Sequence, residues 1–353
     1  MARRFALVAM IALASCQAMF SVAAERSRGA LFADFDMQAS SEPVPIDDMV
    51  SGWDGPFRAG EYAYADVRFS FGVEYDGWRL SRDQRWYYYL EFSKNTSRFF
   101  NALERGIALP SAAVDLEAWS FWSHGVTLAK HWQPAEHWQL TPSVSLYRIG
   151  HYQFGTLQGF VEGGQTETDL TASAALDYHF DDDKILDYQN DHERGIGTSL
   201  SLEADYEFRP GWSFDVELRD LLNQQRFDQA LFTEGCIEFG SPQQPVCDAL
   251  GSASGRSGSD EFQTRIPLTL DMALRWKSAG ASLGYFQHGR YRKLSIQQRW
   301  SLAGQDFAVL LSSDRQLGFG WYSRYHRLSL ASDDSSRQRI RDLSLTLGLR
   351  LPF

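Results

Sequence analysis

Three features of the sequence predict an all-β chain closed into a transmembrane, antiparallel up-and-down β-barrel. Hydrophobic residues recur at every second position in many separate stretches, the period of a strand with one apolar face. Beyond the first two dozen residues, no run approaches the roughly 18 apolar residues that a spanning helix needs. Aromatic residues make up 14% of the chain, with 11 Trp, 15 Tyr and 24 Phe, yet the mean hydropathy is −0.35. Lipid-facing residues that alternate with polar, lumen-facing ones produce that combination.

In chain order, residues 1–24 have a basic start (Arg3, Arg4), an apolar core "FALVAMIALA" and a small-residue exit "SVAA". They predict an export signal cut after Ala24. Leu13-Ala14-Ser15-Cys16 offers another exit, since it resembles the site at which bacterial lipoproteins are cut and acylated on cysteine. Residues 25–60 contain "SSEPVPIDDMVSGWDGPF", rich in Pro, Ser and Asp, and read as a periplasmic N-terminal extension or a lumen plug. The barrel is expected over 61–353.

The first strand is read at Ala65, Val67, Phe69, Phe71, Val73 and Tyr75, which alternate with Asp66, Arg68, Ser70, Gly72 and Glu74 before an Asp76-Gly77 hairpin turn. "YYYLEF", "HGVTLAKHW" and "WQLTPSVSL" follow, with "SRFFNALERG" as a short amphipathic helix at a rim. Period-2 tracts then run from Leu170 to Phe180, from Ile196 to Phe208, from Trp212 past an "RPG" turn, and from Ile266 to Trp276. Shorter units "GASLGYFQ", "RYRKLSIQQRW", "DFAVLLSS", "QLGFGWYS" and "HRLSLAS" lead to the closing strand. The count is about fourteen, within about 12 to 16. Counting back from a periplasmic C-terminus puts "RPG", "KSAG" and the long loop Asn223 to Gln263 on the correct sides and the short "QPAEH" turn on the wrong one, which points to a strand missed or invented in Gly150 to Gly164 or Asp181 to Glu193.

In the closing strand Leu343, Leu345, Leu347, Leu349, Leu351 and Phe353 occupy alternate positions. That ending resembles the C-terminal signal of bacterial outer-membrane barrels, a final aromatic residue behind alternating apolar ones. The resemblance covers this stretch, the export signal and the general strand pattern, and it names a class. It implies that the barrel-insertion machinery reads Leu345, Leu347, Leu349, Leu351 and Phe353, that the final strand zips to the first, and that outer-membrane lipid and lipopolysaccharide surround the barrel in a Gram-negative envelope.

A net charge of −11 removes nucleic acid as a partner. Cys236 and Cys247 are expected to close a disulfide in the loop Asn223 to Gln263, worth about 3 kcal/mol by chain entropy. The run from Asp181 to Glu193 is acidic but lacks the spacing and turn glycine of a calcium loop, so a solvated loop is expected and no metal or cofactor. No G-x-S-x-G or H-E-x-x-H occurs, and His326 with Ser329 or His288 with Ser295 are chance-level pairs, so no enzyme is expected. Glu203, Asp205, Glu207, Asp215 and Glu217 fall on polar faces joined by "RPG" and are expected to form one acidic lumen wall, with Asp177 and Asp271 nearby and Arg219 and Arg275 as opposites. Either the lumen is wet or these charges pair into a network that fills it. The function expected is porin-like passage of small hydrophilic solutes or cations. The alternative is a non-conducting barrel serving assembly, export or adhesion in the cell envelope.

Overall fold

In the computed structural model, the described residues are 29–53, 55–164, 171–181, 194–240 and 253–353. The expected export signal, 1–24, lies outside them. Strands β1 (Gly29–Ser41), β2 (Tyr62–Tyr75), β3 (Trp78–Phe92), β4 (Ala112–Lys130), β5 (Trp132–Ala135), β6 (Trp138–Glu162) and β7 (Thr171–Phe180) build the first half. After β8 (Gly195–Arg209), β9 (Trp212–Phe239) and β10 (Ala253–Thr264), the strands shorten: β11 (Thr269–Trp276), β12 (Ala281–His288), β13 (Tyr291–Leu302), β14 (Gln305–Ser312), β15 (Leu317–Tyr322), β16 (His326–Ser332) and β17 (Asp342–Pro352). Helices α1 (Asp48–Ser51) and α2 (Lys94–Glu104) lie in the connections after β1 and β3. The ring is a closed antiparallel barrel of 14 strands, because β17 pairs with β1 and β5, β7 and β10 stand outside it.

The long connections fall at one end. At the end carrying Phe353, strands are joined by Asp76-Gly77, Pro210-Gly211, Lys277 to Gly280, Ala303-Gly304 and Ser323 to Tyr325. Asp76 (φ 50°) and Gly77 (φ 73°) are both left-handed, the conformation that lets a two-residue hairpin follow the strand twist. The opposite end carries the long connections 42–61 and 93–111 and the extensions β7 and β10, together with the shorter connections 289–290, 313–316 and 333–341. An end with short turns alone is the periplasmic one, and the long loops mark the outside.

The alternation sets what each wall face meets. Leu80, Leu128, Val144, Leu146, Ile296, Leu311 and Leu317 stay exposed on the outward face. Below them an aromatic girdle rings the short-turn end, where Trp138 stacks on Tyr206 at 4.4 Å and Trp212 on Trp276 at 5.3 Å. Rings with an apolar body and a polar edge settle at the headgroup level. An apolar band above such a girdle on a closed up-and-down barrel is the surface of an outer-membrane protein.

Four expectations need correction. Residues 29–41 are neither tail nor plug: β1 is a full wall strand whose Asp34, Asp36 and Gln38 point inward while it pairs with β17 and β2 over its length. The closing strand therefore meets β1, and not the strand at Tyr62. Past Ser41 the described residues of the segment, with α1, join β1 to β2 on the outside, where Trp53 packs 4.8 Å from Phe100 of α2. The tract Leu170 to Phe180 does not cross: β7 pairs with the far ends of β6 and β9, extending the sheet beyond the ring. That spurious crossing put "QPAEH" on the wrong side, and the missed β1 compensated for it in the total of fourteen. Lastly, much of the loop Asn223 to Gln263 is strand, since β9 continues to Phe239 and β10 returns from Ala253.

Candidate functional site

The lumen has two halves of different character. Near the short turns lies a cavity of about 880 Å³. Many of its lining side chains are small, as with Ser329, Ala331, Ser344 and Thr346 on the late strands, and many others are charged. Space left by small residues is what keeps this half open.

Glu203, Asp205, Asp215 and Glu217 all line the cavity, together with Asp271. Register makes them rows: Glu203 sits beside Glu217 and Glu217 beside Asp271, while Asp205 sits beside Asp215. Two cations offset them in part, Arg219 at 3.3 Å from Glu217 and Arg275 at 3.1 Å from Asp215. Across the cavity, Asp34 binds Arg79 at 2.6 Å and lies 3.6 Å from Arg327. Glu207 does not join this wall; it sits at the periplasmic turn, 3.0 Å from Lys277. Asp177 is on β7, beyond the ring.

A break in β9 adds a residue that alternation hides. Between Leu218 and Leu222, three residues of β9 face Ser201 alone, and Asp220 takes φ 58°. Arg219 and Asp220, consecutive in sequence, consequently both reach the lumen. Strict period 2 places Asp220 in lipid; only the bulge turns it inward. There it forms a buried four-group network. Arg85 Nε donates to Asp66 at 2.9 Å and its Nη2 lies 3.0 Å from Asp220. Arg68 contacts Asp66 at 2.9 Å and Asp220 at 3.3 Å, and Ser199 donates to Asp220 at 2.9 Å.

Above the network the lumen is closed. Tyr62, Tyr64, Tyr87, Tyr89, Phe121, Phe154, Phe286 and Tyr291 form one buried cluster. It bridges opposed walls, since β3 is third and β12 ninth around the ring. Tyr64 stacks on His288 at 4.5 Å, the Tyr87 hydroxyl meets His288 Nε2 at 2.7 Å, and Thr269 meets its Nδ1 at 2.8 Å. At the outer rim the Arg290 backbone N–H donates to the Tyr89 hydroxyl at 2.9 Å, and the Arg290 side chain donates to Glu91 at 2.6 Å. Both alternatives posed by the sequence are thus present, stacked along the axis: a polar cavity below, a paired and aromatic closure above.

The remaining sequence candidates divide. His288 is taken up by Tyr87 and Thr269, and Ser329 faces the lumen while His326, three residues earlier, has the opposite parity, so neither histidine–serine pair is assembled. Leu345, Leu347 and Leu349 alternate with lumen-lining Ser344 and Thr346, and Phe353 donates its N–H to Gly29 O at 3.0 Å. Its ring lies so close to Gly29 that a Cβ there would come within 2.6 Å. Cys236 is on β9; Cys247, its expected partner, lies outside the described residues, as does the acidic segment after Asp181.

No protein-family model matches the sequence, and no curated protein sequence matches it. Among solved structures, the chain is similar to a deletion mutant of the monoaromatic hydrocarbon channel TodX, at 9% identity over 93% of this chain and 91% of that one, with a TM-score of 0.45. It is similar to the Ralstonia pickettii toluene transporter TbuX, at 10% identity over 93% and 90%, TM-score 0.31. It is also similar to the β domain of the Bordetella autotransporter BrkA, at 12% identity over 92% and 100%, TM-score 0.29. Likenesses this distant carry nothing about cargo.

Proposed function

We propose that the barrel passes small hydrophilic solutes, cations among them, through a gated lumen. The observation that carries this reading is the carboxylate wall of Glu203, Asp205, Asp215 and Glu217 on an open cavity. Five acids with Asp271, against Arg219 and Arg275, leave an excess of negative charge on that wall. Unscreened carboxylates on adjacent strands raise the local cation concentration over about a Debye length, roughly 8 Å at physiological salt. Burying such rows in a dry barrel would be costly, whereas a water-filled cavity hydrates them. The aromatic closure above acts as the gate, and its opening admits solute from outside.

Conductance of the purified, folded protein in planar bilayers tests this. Transient openings with cation preference are expected, and Glu203→Gln, Asp205→Asn and Glu217→Gln together should move the reversal potential in a salt gradient toward zero. Anion preference, or silence from well-folded protein, overturns the reading. Silence would favour a second one, a non-conducting barrel serving assembly, export or adhesion, for which the observation is the same aromatic cluster joining opposed walls.

A further inference from the structure

A second pocket opens on the outer face of the wall. Val67, Trp86, Tyr88, Ser120 and Trp122, opposite in parity to inward Tyr64 and Asp66, line a crevice of about 340 Å³ that the inward residues Tyr87 and Phe121 also border from behind. Its shape comes from a bulge. Trp122 faces His151 while Ser123 faces Ile149, so β6 carries one extra residue, Gly150. A Cβ on Gly150 would come within 2.7 Å of the Trp122 ring; only glycine lets the indole lie down there. The same bulge brings His151 to the crevice, with its Nδ1 2.5 Å from Asp181.

The crevice is edged by polar groups that lipid tails do not satisfy. One lipid-facing row nearer the periplasm, just outside the crevice lining, His124 faces Arg148 across β4 and β6, and the His124 ring lies 5.4 Å from Trp122. Arg148 is exposed and meets no carboxylate among the described residues. Trp122 Nε1 and His124 Nδ1 are buried without a hydrogen-bond partner. Along β6, Arg148 is ten residues above Trp138 of the periplasmic girdle, roughly 33 Å of strand or about 25 Å of height at a tilt near 40°. That height is the outer edge of the apolar band, where lipid headgroups begin. A cation and two orphan groups there call for an anion with several acceptor oxygens, and the aromatic floor calls for an apolar body attached to it.

We propose that this crevice is a specific site for a phosphorylated glycolipid of the outer leaflet. Its phosphate is held by Arg148 with Trp122 and His124 alongside, and its first acyl segment lies against Val67, Trp86 and Tyr88. The Asp181 carboxylate does not oppose the phosphate directly, because it is turned onto His151 and the Tyr152 N–H at 3.0 Å. The site is independent of whether the lumen conducts.

Native mass spectrometry of the detergent-extracted, folded barrel titrated with bisphosphorylated lipid A tests it. Wild type should retain one lipid equivalent, Arg148→Gln at least tenfold less, and Trp122→Phe should also weaken retention, while Arg292→Gln on another part of the wall should match wild type. Heat-modifiable gel mobility verifies that each variant is folded, and Trp122→Phe, which keeps an aromatic ring but removes the N–H donor and part of the ring surface, serves if Arg148→Gln is not. Equal retention by the folded variants and wild type overturns the proposal. So does equal retention of the dephosphorylated glycolipid, which would make this an acyl crevice, or displacement by inorganic phosphate alone, which would make it a free-anion site.

Discussion

At the residue scale the molecule depends on charges that find their opposites across the lumen. Asp66 is 4% exposed and Asp220 2% exposed, and each is held by both Arg68 and Arg85. Four groups of two signs cancel, but removal of one leaves a buried charge uncompensated, which costs about 3–5 kcal/mol. Asp66→Asn should therefore lower the stability of the folded barrel by that amount in urea unfolding followed by gel mobility. Asp66→Asn combined with Arg85→Met should lose less than the two single changes added together, since the double variant restores the balance. Additive losses would mean that the four groups act separately.

At the element scale, closure of the ring rests on β1, whose register with β17 runs without a break from Ala30 opposite Pro352 to Ser40 opposite Asp342. An open edge inside a membrane leaves backbone groups unsatisfied, so no barrel forms until this pair zips. Phe353 extends the zipper through its N–H to Gly29 and its ring on the same residue. We propose that the insertion machinery reads Phe353 and the alternating leucines Leu345, Leu347, Leu349 and Leu351. Deletion of Phe353 should then lower the heat-modifiable, membrane-inserted fraction at least severalfold and leave periplasmic, degraded chain. Insertion at the wild-type level would remove that role.

At the scale of the whole molecule, the aromatic cluster decides whether the cavity communicates with the outside. Tyr87 and His288 stand on opposed walls and meet by one hydrogen bond. Removing both rings takes the central contact out of the closure while leaving the network of Arg68, Arg85, Asp66 and Asp220 in place below. Tyr87→Ala with His288→Ala should raise single-channel open probability, or sensitivity of intact cells to small hydrophilic antibiotics, by severalfold. No change, with the variant folded, would assign the barrier to the ion network or to the outer rim at Arg290, Glu91 and Tyr89.

Most crossing strands, their inward and outward faces, the short turns and the acidic positions Glu203, Asp205, Asp215 and Glu217, though not the exclusion of Glu207, were legible in the sequence, because period 2 couples each residue's neighbours to its environment wherever lipid lies on one side. β1 escaped although Ala33, Phe35, Met37 and Ala39 alternate with Asp34, Asp36, Gln38 and Ser40, because it runs directly into a Pro- and Asp-rich stretch that reads as an extension; pairing with β17 and β2 reveals it as wall. β7 misled because a strand that extends a sheet above the membrane carries the same alternation as one that crosses it. Asp220 and His151 depend on bulges, local changes of parity that strict alternation conceals. The closure of the lumen lay furthest beyond the sequence: Tyr64, Tyr87 and His288 look like ordinary lumen positions, and the tertiary structure alone brings opposite walls together, since the distance across a barrel is set by the shape of the whole ring and by no single strand.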